Sequence, residues 1–184
     1  MRRQHKKNPG VQPAHTPLFA SCRLALAAAC LLAALAAPAA AADHKQVTGW
    51  VEHVLLYPGP IRLKAKMDTG AKTSSLSVIS IKHFSRDGRP WVRFRVYNSD
   101  GHPITLERPV VRTVLIKRHG EPPKPRPVVM MNLCVGSVLK AAQIDLANRS
   151  NYLYPLLVGR RFLAGHFLVD PDRTFTVRPS CATR

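Results

Sequence analysis

The amino-acid sequence predicts a mainly β protein built as a barrel or a sandwich. Between residues 47 and 158, short runs of alternating apolar and polar residues are separated by turn residues. These turns recur about every eight to twelve positions, a spacing typical of both folds. A single short helix is predicted at Gly159–Ala164, directly after the apolar strand Leu156–Val158.

The predicted strands follow one another along the chain and are bounded by recognisable turns. In order they span 47–56, 61–67, 78–84, 91–97, 104–106, 110–117, 128–133 and 138–146. Tyr57–Pro60 marks the first turn, Arg86–Pro90 joins the third and fourth strands, and Asn98–Gly101 contains an Asp-Gly pair that favours a tight hairpin.

A proline-rich, basic segment, Gly120–Pro127, separates two of the predicted strands. Proline has no backbone N–H and cannot donate to a strand ladder. We therefore expect this segment to be a stiff connection that projects from the sheet. A plain surface loop is the alternative.

Residues 1–42 are predicted to be a secretory signal peptide. An apolar run, Leu24–Ala37, follows a basic region and ends at Pro38, before the Ala-x-Ala cleavage site of Ala40–Ala42. We expect export to the periplasm and one compact domain over residues 43–184. The alternative is an uncleaved signal anchor. The basic region contains Arg2, Arg3, Lys6, Lys7 and Arg23.

The chain is strongly basic, with 28 Lys and Arg against 10 Asp and Glu and a net charge of +18. Five of these basic residues and no acidic residue precede Asp43, so the predicted domain keeps +13. This charge predicts attraction to an anionic envelope surface such as lipopolysaccharide or phospholipid, unless it is only a solvated face. No nucleic-acid motif is present, and nucleic acid is not an expected partner of an exported protein.

Two cysteines, Cys134 and Cys181, lie outside the predicted signal peptide. In an oxidising compartment they could form a disulfide. A buried free thiol at Cys134, which lies in an apolar run, is the alternative. No Cys-x-x-Cys is present, which excludes zinc ribbons built on that spacing.

The tripeptide Asp68-Thr69-Gly70 ends the second predicted strand and is followed by a predicted turn of mostly small residues, Ala71–Leu76. Aspartic proteases present their catalytic aspartate in this way, at the end of a strand and followed by a hydroxyl residue and a glycine. The tripeptide alone often marks only a turn. A second segment about ninety residues later, Pro155–Leu163, strengthens the interpretation because it carries apolar residues followed by Gly159 and Arg160.

Together the two segments resemble the bacterial retropepsin-like aspartic endopeptidases, a family historically labelled ATP-dependent zinc proteases. The resemblance extends over residues 48–177 and is carried by Met67–Leu76, Asn148–Ser150, Tyr154–Leu163 and Phe167–Asp170. It implies a closed β-barrel with one short C-terminal helix. It also implies an aspartic peptidase that cleaves peptide or protein substrates.

Aspartic proteolysis needs two carboxylates that share one proton, and this chain has a single Asp-Thr-Gly. We therefore expect a homodimer in which Asp68 of each subunit meets at the two-fold axis. The resemblance implies that Thr69 braces the paired loops and that Gly70 permits their close approach. Ala71, Lys72 and Thr73 continue the loop, and Gly159 and Arg160 support it. The ammonium of Lys72 would disfavour a shared proton, hold a substrate carboxylate, or point to solvent.

No cofactor is predicted. The sequence has no His-Glu-x-x-His for zinc and no phosphate-binding loop for ATP. Ser77 and Asn148 occupy positions where the family often has histidine and aspartate, which removes two ligands. Asp170 is expected to end a strand that a turn caps, rather than to be a second catalytic acid, and Asp145 is expected to be a partly buried, hydrogen-bonded carboxylate.

A second function, of a different class, fits the same residues. The fold could be a catalytically silent binding module that holds an anionic envelope ligand on its basic surface, since a fold does not fix a function. The flap over the site would be either the Asn98–Pro103 hairpin or the proline-rich segment.

Overall fold

The computed structural model describes residues 44–118, 120–148 and 152–181. Within them lie ten strands and one short helix, and all belong to one compact unit. The elements are β1 (Gln46–Tyr57), β2 (Ile61–Asp68), β3 (Ser74–Ser77), β4 (Ser80–Arg86), β5 (Arg89–Tyr97), β6 (Pro103–Arg118), β7 (Glu121–Val135), β8 (Val138–Ala147), β9 (Leu156–Gly159), α1 (Arg160–Leu163) and β10 (Phe167–Thr174).

Six of the strands close into a ring. Following the hydrogen-bonded neighbours gives the order β1-β2-β9-β3-β8-β7, and β7 pairs back onto β1. Parallel pairs join β2 to β9 and β3 to β8, while the other four pairs in the ring are antiparallel. The prediction of a mainly β fold with one short C-terminal helix is confirmed.

The remaining strands extend from this ring. The second half of β6 pairs with β7, and its first half pairs with β5, which in turn pairs with β4. At the other end of the sheet order, β10 runs parallel to β1.

Strand β2 shows why the sequence folds as it does and how it presents Asp68. Its residues alternate strictly, so that Ile61, Leu63, Ala65 and Met67 are buried while the basic residues between them are wholly or partly exposed. This period of two places one face of the strand on the core and the other in solvent. Asp68 ends the strand half-buried, where the apolar core gives way to the loop.

The hydrophobic core is continuous across the ring and the helix. Leu56, Leu63, Leu76, Leu133 and Ile144 are fully buried on different ring strands, and Phe162 of α1 packs into the same cluster. The core therefore fixes β2, β3 and β9, the three strands that carry the Asp-Thr-Gly region and its supporting segment.

The expectation that the proline-rich segment projects outside the sheet is wrong. Residues 121–127 form the first half of β7 and pair with β6, with Pro125 opposite Leu115 and Pro127 opposite Thr113. Pro123, Pro125 and Pro127 alternate, so their missing N–H groups fall on one edge, while Lys124 and Arg126 can donate to β6. The fourth proline, Pro122, lies in the register irregularity between Glu121 and Lys124. Pairing of β7 with β8 begins only at Val128, beyond the last proline.

Two other predicted boundaries are also wrong. The second half of the turn expected at Ala71–Leu76 is instead strand β3, which begins at Ser74, because the short serine side chains fit between the neighbouring strands β8 and β9. The two strands predicted at 104–106 and 110–117 form one strand, β6, with a register irregularity between Val110 and Arg112.

The predicted signal peptide, residues 1–42, lies outside the described residues. Among the helical residues that the structure does describe, none forms a helix long and apolar enough to cross a membrane.

Candidate active site

Asp68 is held by the loop that it opens. Its Oδ1 accepts hydrogen bonds from the backbone N–H of Gly70 at 3.0 Å and of Ala71 at 3.1 Å. A side chain at Gly70 would bring its Cβ within 3.3 Å of the same oxygen. None of the described residues makes a hydrogen bond to Oδ2, so this oxygen is available to a water, a substrate or a second carboxylate.

Gly159 brings the supporting segment against the loop. It lies opposite Asp68 in the parallel pairing of β2 with β9. A Cβ on Gly159 would lie 2.6 Å from the carbonyl carbon of Thr73, so only glycine permits this approach. Its N–H donates to Ser74 Oγ at 3.1 Å, which ties β9 to the residue that begins β3.

The start of helix α1 fastens the other side of the loop. The backbone N–H of Arg160 donates to the carbonyl of Ala71 at 2.8 Å, and that of Arg161 donates to the carbonyl of Lys72 at 3.2 Å. The guanidinium of Arg160 also donates to the carbonyl of Thr69 at 3.3 Å. Asp68, Thr69, Gly70, Ala71, Lys72, Thr73, Gly159 and Arg160 therefore form one contiguous site.

Basic side chains surround the exposed part of this loop. The Lys72 side chain is exposed, as are those of Arg160 and Arg161. Arg112 donates to Thr73 Oγ1 at 3.4 Å and to Gln143 Oε1 at 2.9 Å. We call Lys72, Arg112, Arg160 and Arg161 the basic rim.

Sequence reasoning missed two residues of the site. Ser74 accepts a hydrogen bond from the Gly159 N–H and was predicted only as part of a turn. Arg112 lies 39 residues from Thr73 along the chain, and no local pattern connects them. The pairing of β6, β7 and β8 could have found Arg112 only if the register of all three strands were known.

Two other acidic residues singled out in the sequence, Asp145 and Asp170, form their contacts with residues other than Asp68. Asp145 is hydrogen-bonded, as expected, but it is buried and not only partly so: its carboxylate accepts hydrogen bonds from Ser75 Oγ at 3.1 Å and from Arg126 at 2.9 Å. Asp170 belongs to β10, at the point where pairing with β1 becomes irregular, and forms an exposed ion pair with Arg173 at 3.4 Å.

Several predicted features lie apart from Asp68. Cys134 and Cys181 form a disulfide, which links β7 to the C-terminal segment. Ser77 and Asn148 line one cleft of about 210 Å³ together with Tyr97 and Pro155. In the part of the chain that the structure describes, no group of three histidine, cysteine or acidic side chains is close enough to hold a metal ion.

The structure separates the two flap alternatives. The backbone N–H of Ser99 donates to the carbonyl of Arg62, near the start of β2, at 2.9 Å. At about 3.3 Å per residue, Arg62 is roughly 20 Å from Asp68 along this strand. The Asn98–Pro103 hairpin is therefore not placed over Asp68, and the other alternative, the proline-rich segment, stays a prediction.

A family model described as "Retropepsin-like aspartic endopeptidase RimB" matches residues 47–180, which include every residue of the site. The chain belongs to the RimB-like family. The resemblance read from the sequence is thereby confirmed, and the closed ring with its short helix is the framework of a RimB-like domain.

The chain is also similar to a solved structure and to several named proteins. The chain is 34% identical to Lpg0085 from Legionella pneumophila, a crystal structure of a protein with unknown function, with a TM-score of 0.64 over 73% of this chain and 100% of that one. It is 32% identical over 138 residues to a "Probable alpha-L-glutamate ligase" of Shewanella pealeana, and 33% identical over 113 residues to one of Parasynechococcus marenigrum. The matches cover 72% and 60% of this chain but only 30% and 24% of those relatives.

Proposed function

We propose that this RimB-like protein is an aspartic endopeptidase that works as a symmetric homodimer. Asp68 of one subunit acts as general base toward a water molecule, and Asp68 of the other, protonated, polarises the peptide carbonyl. The observation that carries this proposal is the Asp68 loop, which holds one carboxylate oxygen with two N–H donors and leaves the other without a partner among the described residues. Export, indicated by residues 1–42, stays part of the proposal.

The need for a dimer follows from the single carboxylate. Asp145, the buried acid on neighbouring β8, is occupied by Ser75 and Arg126 and cannot serve as the second acid. Thr69 and Gly70 are exposed at the tip of the loop, where a second copy can approach. Two such loops related by a two-fold axis would bring the two Asp68 side chains together.

The basic rim favours acidic peptides as substrates. Four cationic side chains lie on or beside the loop, and peptides with several carboxylates would be attracted to it. The curated relatives are named probable alpha-L-glutamate ligases, and a glutamate-containing peptide has the charge that complements this rim. We therefore propose acidic, glutamate-containing peptides as the substrate class.

The test is cleavage of a diverse peptide mixture that includes glutamate-rich and neutral members, followed by mass spectrometry from acid to neutral pH. Cleavage by the wild-type protein and not by Asp68→Asn supports the proposal. A folded wild-type protein that cleaves no peptide at any pH would overturn it. Preference for neutral peptides would overturn only the substrate class.

A second candidate function, the binding module, is favoured by the outer face of the β4–β5–β6 sheet. Cross-strand pairs place Lys82 beside Arg93 and Phe84 beside Trp91 on this face, while Val92, between Trp91 and Arg93, is buried on the opposite face. Arg86 lies 4.4 Å above the Trp91 ring. We call this surface the basic sheet face, and its charged residues are Lys82, Arg86, Arg89, Arg93, Arg95 and Glu107.

Five cations and one acid on a sheet face interleaved with aromatic rings suit an anionic lipid surface, where aromatic side chains favour the headgroup region. Co-sedimentation of the protein with two kinds of vesicle tests this candidate function. One kind contains phosphatidylcholine alone, and the other also contains the anionic lipid phosphatidylglycerol. Anionic vesicles should bind the protein, and the double substitution Arg89→Gln with Arg95→Gln should weaken binding about thirtyfold, at about 1 kcal/mol per basic residue. Arg173→Gln is the control. Equal binding to both vesicle types, or none, would exclude this candidate.

A further inference from the structure

A second cleft lies on the outside of the β1–β2 hairpin. It has a volume of about 500 Å³ and lies between three hairpin residues and the segment 175–181, which we call the C-terminal strap. Leu55 pairs with Arg62, and His53 pairs with Lys64, so these four side chains share one face of the hairpin. The lining residues are His53, Leu55, Arg62, Phe175, Val177, Arg178 and Pro179.

The strap is fixed in place by contacts that do not involve the cleft. Glu52, fully buried, accepts hydrogen bonds from the backbone N–H groups of Thr176 at 2.9 Å and Val177 at 3.3 Å, and from Thr176 Oγ1 at 2.7 Å. The Cys134–Cys181 disulfide and a bond from Ser180 N–H to the carbonyl of Gly136 hold its far end. The cleft is thus preformed.

Positive charge in this cleft is not balanced by an acid. Arg62 and Arg178 line it and form no ion pair with any described residue, and Lys64 lies on the same hairpin face. Burial, followed by the charges of Arg62 and Lys64, lowers the pKa of His53. Glu52 is the one acid that acts in the opposite direction, and its oxygens are occupied by the strap N–H groups.

His53 and Phe175 form an aromatic wall of the cleft. Their rings are stacked, with centroids 4.7 Å apart. The Nδ1 atom of His53 is buried without a hydrogen-bond partner among the described residues. Phe175 has a φ of 54°, a conformation uncommon for residues other than glycine, and its N–H donates to the carbonyl of Val51 at 2.8 Å.

We propose that this cleft binds a carboxylate or phosphate group carried on a small apolar body. Arg62 and Arg178 hold the anionic group, because guanidinium groups bind both anions with paired hydrogen bonds. Phe175, Leu55 and Val177 cover the apolar body. The volume suits a small molecule or the end of a peptide.

This site is separate from the catalytic one. Arg62 is six residues before Asp68 on the same strand, which corresponds to roughly 20 Å. Binding in the cleft therefore does not require cleavage, and the proposal does not depend on the peptidase function.

The test is a calorimetric titration of the wild-type chain with phenyl phosphate and benzoate, with benzyl alcohol and inorganic phosphate as controls. We expect at least one of the two aromatic anions to bind once per chain, about tenfold or more tighter than either control. The preferred anion distinguishes a phosphate ligand from a carboxylate ligand. Absence of saturable binding by both aromatic anions would overturn the proposal.

Substitutions locate the site. Arg62→Met and Arg178→Met should each weaken binding about tenfold, since each removes a charge-assisted contact, whereas the exposed control Arg173→Met should not. In NMR titrations, the bound anion should raise the pKa of His53, because it offsets the charges of Arg62, Lys64 and Arg178. Binding that persists unchanged in both variants, or leaves His53 unaffected, would show only adventitious association elsewhere.

Discussion

Gly159 lies opposite Asp68 across the parallel strands β2 and β9, and its N–H is bound to Ser74 Oγ at 3.1 Å. The catalytic candidate and the supporting glycine, 91 residues apart in the chain, thus belong to the same pair of strands. Since both strands carry core residues, the position of the Asp68 loop is determined by the packing of the ring.

Gly159→Ala should destabilise the fold. The new Cβ would lie 2.6 Å from a backbone atom of Thr73, so a strand must shift, at a cost of ~1–3 kcal/mol typical of overpacking. Gly70→Ala is the matched comparison, because its Cβ meets only the Asp68 carboxylate at 3.3 Å. Urea denaturation should show a large loss for the first variant and a small one for the second. Equal losses would contradict the packing argument.

Arg126→Met should destabilise the protein by about 3 kcal/mol, because it leaves the Asp145 carboxylate buried with only Ser75 as a partner. The matched control is Arg173→Met, whose ion pair with Asp170 is exposed and should contribute less than about 0.5 kcal/mol. The free energy of unfolding of each variant provides the comparison. A similar small effect in both would mean that burial of the Arg126–Asp145 pair is not energetically important.

The stability contributed by Glu107 should depend on pH. Hydrogen bonds from Arg93 and Arg86, both at 2.6 Å, lower the pKa of Glu107 below its ordinary value of 4.5. A carboxyl whose pKa is lowered on folding stabilises the native state above its unfolded pKa and loses this contribution as the pH falls through the folded value. Glu107→Gln should therefore be less stable than wild type near neutral pH, and the difference should vanish in acid. Thermal melts across this range would reveal a constant difference if the ion pairs contribute nothing.

Lys72→Met should weaken cleavage of acidic peptides. The exposed ammonium lies four residues after Asp68 and is expected to attract substrate carboxylates, so its loss should raise KM about two- to fivefold with little change in kcat. Lys45→Met, remote in sequence and also exposed, is the control. If Lys72 instead acts on the protonation of the paired carboxylates, the pH profile of kcat will shift and KM will not.

Much of this structure could be predicted from local patterns. The alternation in β2 and the Asp-Thr-Gly at its end placed Asp68 correctly at a strand terminus, and Gly159 before a short helix was equally visible. The proline-rich strand was missed because composition alone does not reveal that Pro123, Pro125 and Pro127 share one edge. Arg112 and Ser74 depend on the register between distant strands, which no local signal specifies.

The central claim is that two Asp68 side chains act together, and mixing the wild-type chain with Asp68→Asn tests it most directly. The two chains are mixed at constant total concentration, left until subunits have exchanged between dimers, and assayed for peptide cleavage. If the site forms between two subunits and one asparagine inactivates it, activity should fall as the square of the wild-type fraction. A linear fall would mean that each chain acts alone, and it would contradict the shared active site.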